Sequence, residues 1–214
     1  MPFTITSQML RDWSACADGY RWFLTTYPAG EADYQAVLDA LAEADRPNDA
    51  KWLMDRVGPT DDVLDLGERV ERKHLFAAGH LRVGSAVIAG RVRAGRGIKA
   101  GRGIEAGEGI TAGEGIEAGW GIEAGGGIEA GEGIEAGEGI EAGEGIEAGW
   151  GIKAGWGISC ALSISCQWLS VRLRIFAGLV NWREPRAGDD EIRAEIRGGT
   201  VAHGRVVGPA REAA

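Results

Sequence analysis

A six-residue phrase, Gly-Ile-x-Ala-Gly-x, repeats through the middle of the chain and constrains its fold more than any other feature. The run at 131–158, "GEGIEAGEGIEAGEGIEAGWGIKAGWGI", shows it most clearly. A fixed short period indicates a repeat architecture, in which each unit packs mainly on its neighbours. Most units are six residues long, with shorter steps at 87–92 and 164–169. Each unit starts with a large aliphatic residue, and these residues are Leu75, Leu81, Val87, Val92, Ile98, Ile104, Ile110, Ile116, Ile122, Ile128, Ile134, Ile140, Ile146, Ile152, Ile158, Ile164, Leu169 and Ile175.

Within one unit, the isoleucine and the alanine are two residues apart, so both point to the same face of a short strand. The residue between them points outward and is usually glutamate. The corner is predicted at Gly-x-Gly, where we expect glycine to supply a positive φ. The residue x is often glutamate or tryptophan, so burying every copy is excluded and x must face outward.

A strand this short cannot bury its own apolar face, whereas stacked coils can. Three units per coil give a triangle with three isoleucines in each layer, and a flattened 12-residue coil is the alternative. The sequence therefore predicts a mainly β fold, a triangular β-solenoid of about six 18-residue coils. The predicted segments are a helical domain at 1–58, a connection at 59–74, the solenoid at 75–180, and capping strands and a tail at 181–214.

The first 58 residues predict three short helices. The first is indicated by apolar residues spaced alternately four and three apart, which form one face of a helix. Pro28 and Gly30 end it, and Pro47 begins the third helix, which Gly58 stops. The apolar face of the first helix consists of Met9, Trp13, Cys16, Tyr20, Phe23 and Tyr27.

The net charge of -9 hides a segregation along the chain. Residues 75–103 contain six basic and no acidic side chains, and residues 104–152 contain twelve glutamates and no base. The overall acidity argues against direct coating of nucleic acid. No apolar run reaches membrane-spanning length and no secretion signal is recognised, so we expect a cytoplasmic protein of the host cell with no membrane contact. Three cysteines form no disulfide framework and no metal-binding set, so no metal and no cofactor is expected.

In the run "GWGIEAGGGIEAGEGIEAGE" the chain resembles the hexapeptide-repeat β-helix proteins. As a whole it is similar to a family of phage and prophage proteins. That resemblance covers most of residues 5–200 and is carried by "WFLTTYPAGEADYQAVLDALAEADRPNDAKWL", the Gly-Ile-x-Ala-Gly repeats and "VRLRIFAGLVNWREP". It implies a mobile-element origin and carries no catalytic residues with it.

The glutamates are the first candidate binding residues. Stacked like charges about 5 Å apart cost on the order of 0.8 kcal/mol per pair in water, so their abundance requires a reason. Three readings stay open: protection of the strands from aggregation, imitation of a phosphate backbone, and calcium binding. The candidates are Glu105, Glu108, Glu114, Glu117, Glu123, Glu129, Glu132, Glu135, Glu138, Glu141, Glu144 and Glu147.

Tryptophans in the corner position are the second set of candidates: Trp120, Trp150 and Trp156, with Trp168 in the same slot. An 18-residue coil would place Trp150 and Trp168 in one column. These rings either pack beneath the C-terminal segment or form exposed anchors for a protein partner.

These features predict a non-catalytic phage-type binding or inhibitor protein. Its acidic solenoid would occupy a basic, nucleic-acid-binding surface of a host protein, such as an anti-viral defence protein. One alternative is a structural, self-assembling solenoid, since the basic segment 82–102 adjoins the acidic block, and this implies a homo-oligomer. The other is an acyltransferase of hexapeptide type. Among the histidines, His80 is the position considered for a general base, but no catalytic residue is assigned.

Overall fold

The structure, a computed structural model, describes residues 3–208 and begins with four helices beside a small antiparallel ribbon. The helices are α1 (Ser7–Asp12), α2 (Ala17–Thr26), α3 (Tyr34–Glu43) and α4 (Pro47–Val57). The ribbon pairs β1 (Thr4–Thr6) with β2 (Glu31–Asp33). Within the described residues, no helix combines the length and apolarity that crossing a membrane requires.

The predicted first helix is divided into α1 and α2, so there are four helices where three were expected. Ser14 has a φ of 59°, in the left-handed region that interrupts a right-handed helix. Cys16 is the N-cap of α2, and its Sγ accepts a hydrogen bond from the backbone N–H of Gly19 at 3.3 Å. Cys16 is therefore exposed rather than part of the apolar face.

The remaining strands form a parallel β-solenoid with three walls. Wall A contains β3 (Val63–Asp65), β6 (His80–Val83), β9 (Ile98–Ala100), β12 (Ile116–Ala118), β15 (Ile134–Ala136) and β18 (Gly151–Ala154). Wall B contains β4 (Val70–Arg72), β7 (Val87–Ala89), β10 (Ile104–Ala106), β13 (Ile122–Ala124), β16 (Ile140–Ala142) and β19 (Ile158–Cys160). Wall C contains β5 (Leu75–Ala77), β8 (Val92–Ala94), β11 (Ile110–Ala112), β14 (Ile128–Ala130) and β17 (Ile146–Ala148). The long strands β20 (Ile164–Phe176) and β21 (Glu191–His203) continue all three walls, and β22 (Arg205–Val206) ends wall C.

The strand register confirms the triangular coil. Ile104 pairs with Ile122, and Ile122 pairs with Ile140, so one coil takes 18 residues and a 12-residue coil is excluded. About eight coils are stacked, where about six were predicted. The number of coils differs from the prediction because both ends of the solenoid are longer than expected. At the first end, the predicted connection at 59–74 already contains β3 and β4. The C-terminal segment 191–206 also adds parallel strands to the solenoid instead of folding as a separate cap.

The core is a continuous column of the residues that the repeat predicts to point inward. The first and third residues of each central strand are buried and the middle residue faces solvent. Ile128, for example, is fully buried. Each layer thus buries three isoleucines and three alanines against identical residues above and below, and this apolar burial is the main stabilising contribution.

The corner glycines are required for a reason that differs from the predicted one. No glycine between 84 and 163, all of them described, has a positive φ. Instead, the glycine after most of the inward alanines lies against a carbonyl group of the preceding coil, with Gly107 as an exception. A Cβ at Gly137 would lie 2.0 Å from the carbonyl oxygen of Gly119, which no side chain could tolerate without backbone movement. The second corner glycine is less restricted, since a Cβ at Gly139 would lie 3.6 Å from its nearest atom.

The helices pack against the first coils through wall C. Phe76 and Ala78 are buried in the apolar cluster of the helices. The Gln35 side chain donates to the carbonyl of Phe76 at 2.8 Å and accepts from the N–H of Ala78 at 2.9 Å. Buried His74 contacts Asp45 across this interface with 2.9 Å between Nε2 and Oδ1.

Substitutions at Ile128 test the stacked core. Ile128→Asp places a carboxylate in a fully buried site and should unfold the solenoid. Ile128→Val should lower the free energy of unfolding by only about 0.5–1.5 kcal/mol. Circular dichroism during urea denaturation measures both, and a native-like spectrum with unchanged stability for the aspartate variant would contradict the assigned inward orientation.

A matched pair of glycine substitutions tests the close stacking of coils. Gly137→Ala should lower the free energy of unfolding by about 1–3 kcal/mol or more, because its methyl group meets a backbone carbonyl. Gly139→Ala should leave it within about 1 kcal/mol, because its methyl group has space and alanine restricts the unfolded chain. Equal losses at the two positions would contradict the stacking explanation.

Candidate functional site

The middle residue of each solenoid strand faces solvent, so each wall presents one vertical row of side chains. On wall A the row runs through Arg82, Lys99, Glu117, Glu135 and Lys153. Nζ of Lys99 lies 2.8 Å from a carboxylate oxygen of Glu117, and Nζ of Lys153 lies 2.6 Å from Glu135. Wall A therefore neutralises its own glutamates.

Wall B presents a row of three stacked glutamates with no lysine or arginine next to them in the row. Glu105 pairs in register with Glu123, and Glu123 pairs with Glu141. All three side chains are exposed, and none forms an ion pair with any residue in the range 3–208. Ile88 precedes this row and Ser159 follows it, so the neighbouring coils supply no compensating charge.

Wall C is divided between the helices and solvent. Its first outward residue, Phe76, is covered by the helices, and Arg93 forms an ion pair with Asp55 of α4 at 2.7 Å. Further along, Glu129 and Glu147 stack in register and are exposed. Neither has an ion-pair partner in the described part of the chain.

The corners carry the other five glutamates. Glu108 pairs with Arg91, and Glu114 pairs with Arg96 at 2.7 Å, whereas three corner glutamates have no such partner among residues 3–208. The twelve candidate glutamates therefore form a paired set and an unpaired set. The paired set is Glu108, Glu114, Glu117 and Glu135, and the unpaired set is Glu105, Glu123, Glu129, Glu132, Glu138, Glu141, Glu144 and Glu147.

Trp120, Trp150 and Trp156 are exposed, whereas Trp168 is half-buried and packs beneath the C-terminal strand β21. The exposed fractions are 52% for Trp120, 66% for Trp150 and 56% for Trp156. The predicted column of Trp150 and Trp168 is shifted by one residue, because the short step at 164–169 brings Trp168 into register with Gly151. The half-buried ring of Trp168 lies against that glycine, and the guanidinium of Arg197 lies 5.3 Å from its centre.

Trp120 and Trp156 border the free glutamates of wall B. They occupy one corner column, in which Glu138 lies between them, since Glu138 donates its N–H to Trp120 and Trp156 donates to Glu138. Together with Glu123 and Glu141 they line a shallow groove of about 930 Å³. The chain itself shows one cation bound here, because the guanidinium of Arg102 lies over the Trp120 ring at 5.0 Å from its centre. The groove thus combines carboxylates with exposed indole rings, which are the groups that bind a guanidinium best.

The groove on wall A has a similar shape and a different charge pattern. It measures about 710 Å³ and is lined by Trp150, Trp168 and the lysine–glutamate pairs of that wall. Glu117 and Glu135 in this groove already bind lysines, whereas Glu105, Glu123 and Glu141 in the groove on wall B form no ion pair within residues 3–208.

His80, the position considered for a general base, lies near one glutamate. His80 is partly exposed, and its Nδ1 is 3.9 Å from a carboxylate oxygen of Glu114. Within residues 3–208, no group of three or more histidine, cysteine, aspartate or glutamate side chains is positioned to hold a metal ion.

The cysteines differ sharply in accessibility. Cys160 and Cys166 occupy the inward alanine position and are buried. Burial raises the pKa of Cys160 to about 12 and that of Cys166 to about 12. Cys16 is exposed at the start of α2.

This difference predicts the reaction of the three cysteines with a thiol reagent. At pH 8, DTNB should modify Cys16 rapidly, because the thiolate is the reactive form and the two buried thiols are both inaccessible and protonated. Unfolding in guanidinium chloride should make all three react. Rapid native modification of two or three thiols, read by absorbance, would contradict the burial of the solenoid cysteines.

Two features of the site were missed at the sequence level. Lys99 and Lys153 lie 18 residues from Glu117 and Glu135, so the 18-residue coil predicts their pairing once it is applied to charges as well as to isoleucines. The stacking of Arg102 on Trp120 follows the same 18-residue rule. Both show that the outward residues must be compared along the columns rather than along the chain.

Comparison with known proteins identifies only the helical part. Residues 1–58 match the model of a family described as the YdhT N-terminal domain. No curated protein matches the chain, and no solved structure matches it. The solenoid observed at 63–206 fits the resemblance to hexapeptide-repeat β-helix proteins, and the chain therefore joins a domain similar to the YdhT N-terminal domain to a hexapeptide-repeat β-solenoid.

Proposed function

We propose that this chain is a non-catalytic binding protein whose unpaired glutamates occupy a basic surface on a partner protein. The observation that carries the proposal is the free glutamate row of wall B beside Trp120 and Trp156. A row of stacked like charges destabilises the fold unless something else neutralises it. A partner bearing clustered arginine and lysine would supply that neutralisation.

The density of unpaired charge supports imitation of a nucleic acid. Eight unpaired carboxylates occur within residues 104–152, which span roughly 13 Å of solenoid axis at ~4.8 Å per coil. This is about one charge per 1.6 Å, similar to the one per ~1.7 Å of duplex DNA. A surface that binds phosphates through arginine and lysine would therefore meet a comparable field.

The tryptophans add a contact that phosphates lack. An arginine on the partner can stack on the indole of Trp156 and donate to Glu138 or Glu141, as Arg102 already stacks on Trp120. Stacked arginines are strong contributors at protein interfaces. This combination favours an arginine-bearing protein surface over a diffuse cloud of counterions.

The resemblance to phage and prophage proteins narrows the partner that we propose. A phage-encoded acidic solenoid in an infected cell would act by covering the nucleic-acid-binding surface of a host protein, for example one of anti-viral defence. The binding would then be competitive with duplex DNA, since both ligands use the same cationic side chains.

Two glutamine variants with equal charge change test the proposal. One changes the unpaired Glu105, Glu123 and Glu141, and the other changes the paired Glu108, Glu117 and Glu135. A basic protein captured from host lysate and released by duplex DNA is titrated with each variant. The unpaired variant should bind at least about tenfold more weakly and the paired variant within about threefold of wild type, because only free carboxylates can bind the partner.

The same pair of variants has an internal control in its stability. The unpaired variant should unfold at a higher temperature because repulsion is relieved, while the paired variant should change little, since each exposed ion pair contributes about 0–1 kcal/mol. Full affinity of a correctly folded unpaired variant would refute charge mimicry. Aggregation of that variant without loss of affinity would instead identify the glutamates as a solubility device.

A further inference from the structure

In the outward row of wall A, every charged side chain has a neighbour of opposite sign. Asp65 faces outward in register with Arg82 and lengthens the row described above by one residue. The six charged side chains of the row form three ion pairs along the wall. In chain order these pairs are Asp65 with Arg82 at 3.8 Å, Lys99 with Glu117 at 2.8 Å, and Glu135 with Lys153 at 2.6 Å.

The three ion pairs alternate in direction along the wall. From the helical end, the signs are negative, positive, positive, negative, negative and positive. Each sign is therefore the opposite of the one at the same distance beyond the midpoint between Lys99 and Glu117. A two-fold axis in front of this midpoint, parallel to the strands, places each charge opposite one of the other sign on a second copy. The facing residues are Lys99 with Glu117, Arg82 with Glu135, and Asp65 with Lys153.

The ion pairs within the chain leave room for these contacts between copies. Each of the six side chains is 53–61% exposed, so one side of every ion pair is open to solvent. In the antiparallel arrangement, each ion pair meets an ion pair of reversed direction, and the four charges form a square of alternating sign. Partial exclusion of water strengthens the attractions within such a square. No net charge is buried, because each ion pair is neutral.

The same charges disfavour the other ways of placing wall A on itself. A second copy that runs in the same direction would put every charged side chain of the row opposite its own equivalent. An antiparallel copy shifted by one coil would put either Lys99 or Glu117 opposite its own equivalent. Like charges that face each other across an interface are strongly unfavourable, so the row specifies one direction and one register.

Exposed apolar side chains at the two ends of wall A meet in this arrangement. Trp150 is 66% exposed and lies three residues before Lys153, and Val63 is 46% exposed and lies two residues before Asp65. Both line the groove on wall A. Since Lys153 faces Asp65 of the second copy, the indole of Trp150 packs near Val63 of that copy. Tryptophans are frequent energetic centres of protein interfaces.

We propose that wall A binds wall A of a second copy in an antiparallel dimer with two-fold symmetry, centred between Lys99 and Glu117. The facing rows extend over five coil steps, roughly 24 Å at ~4.8 Å per coil. An interface of this length is small, so the dimer dissociates on dilution. Wall B is not part of the interface, and its free glutamates stay available to the proposed basic partner.

A charge swap at the centre of the interface tests the dimer by sedimentation velocity, at protein concentrations up to about 1 mM because the interface is small. Wild type should dimerise. Lys99→Glu should weaken dimerisation at least about tenfold, because two carboxylates then face each other. The double variant Lys99→Glu with Glu117→Lys keeps both the ion pair within the chain and the match between copies. It should dimerise within about threefold of wild type.

Mixing wild type with the double variant tests the direction of the two copies. In an antiparallel mixed dimer, like charges face each other at the centre. Fluorescently labelled wild type should therefore bind the unlabelled double variant at least about tenfold more weakly than it binds unlabelled wild type. In a parallel dimer the preference is reversed, because equivalent positions then carry opposite charges.

The apolar contact is tested with a matched pair of tryptophan variants. Trp150→Ala should weaken dimerisation at least about tenfold. Trp182→Ala should dimerise like wild type, since Trp182 is 54% exposed but lies beside Gly143 and Glu144, away from wall A.

Any of four results would overturn the proposal. The first is a wild-type monomer at every concentration. The second is a Lys99→Glu variant that dimerises as strongly as wild type, and the third is a correctly folded double variant that does not dimerise. The fourth is a mixed dimer as stable as the wild-type dimer, which would place the association at another surface or in another direction.

Discussion

The stacking of coils at 18-residue spacing is the constraint on which the rest of this structure depends. Each residue of the central solenoid lies above a residue of the same kind, and the first corner glycine allows successive backbones to approach closely. Like-on-like stacking stabilises the interior, because isoleucine packs on isoleucine without a void. On the outside, the same rule places glutamate on glutamate, where it is unfavourable.

The repulsion between stacked glutamates is reduced to a different extent on each of the three walls. Lys99 and Lys153 neutralise glutamates on wall A, and the helices cover the beginning of wall C. On wall B no such compensation exists among the described residues, although one lysine at position 105 or 141 would provide it in the same way. A local departure from the best stability, retained beside exposed tryptophans, is typical of a binding surface. The proposed basic partner would complete the charge balance that the chain leaves open.

The sequence predicted the central solenoid well because its period is strict. Ile128 and its equivalents were placed inward, and the 18-residue triangle was predicted with a 12-residue coil as the alternative, which the strand register excludes. The length of the solenoid at its two ends was underestimated. Val63–Arg72 and Glu191–Val206 form solenoid strands although they lack the Gly-Ile phrase. Their apolar residues alone do not distinguish a coil from a connection.

Other features depend on tertiary packing that the sequence does not express. The break between α1 and α2 arises from the conformation of Ser14 and the capping by Cys16, while the apolar spacing continues through it. The need for corner glycines was recognised, but its reason was wrong, because it lies in contacts between coils rather than in φ. The apolar pocket lined by Trp22 and Trp52 joins residues from all four helices and cannot be identified from periodicity.

The dependence of thermal stability on salt shows directly whether unpaired charge dominates the solenoid surface. Repulsion between stacked glutamates is screened by sodium chloride, whereas ion pairs lose stability under the same screening. The unfolding midpoint of the solenoid, followed by circular dichroism, should rise between 10 and about 200 mM sodium chloride, the range over which the Debye length falls from about 30 to below 10 Å. A midpoint that falls with salt would show that attractive ion pairs dominate the surface and would contradict a surface dominated by repulsion between unpaired glutamates.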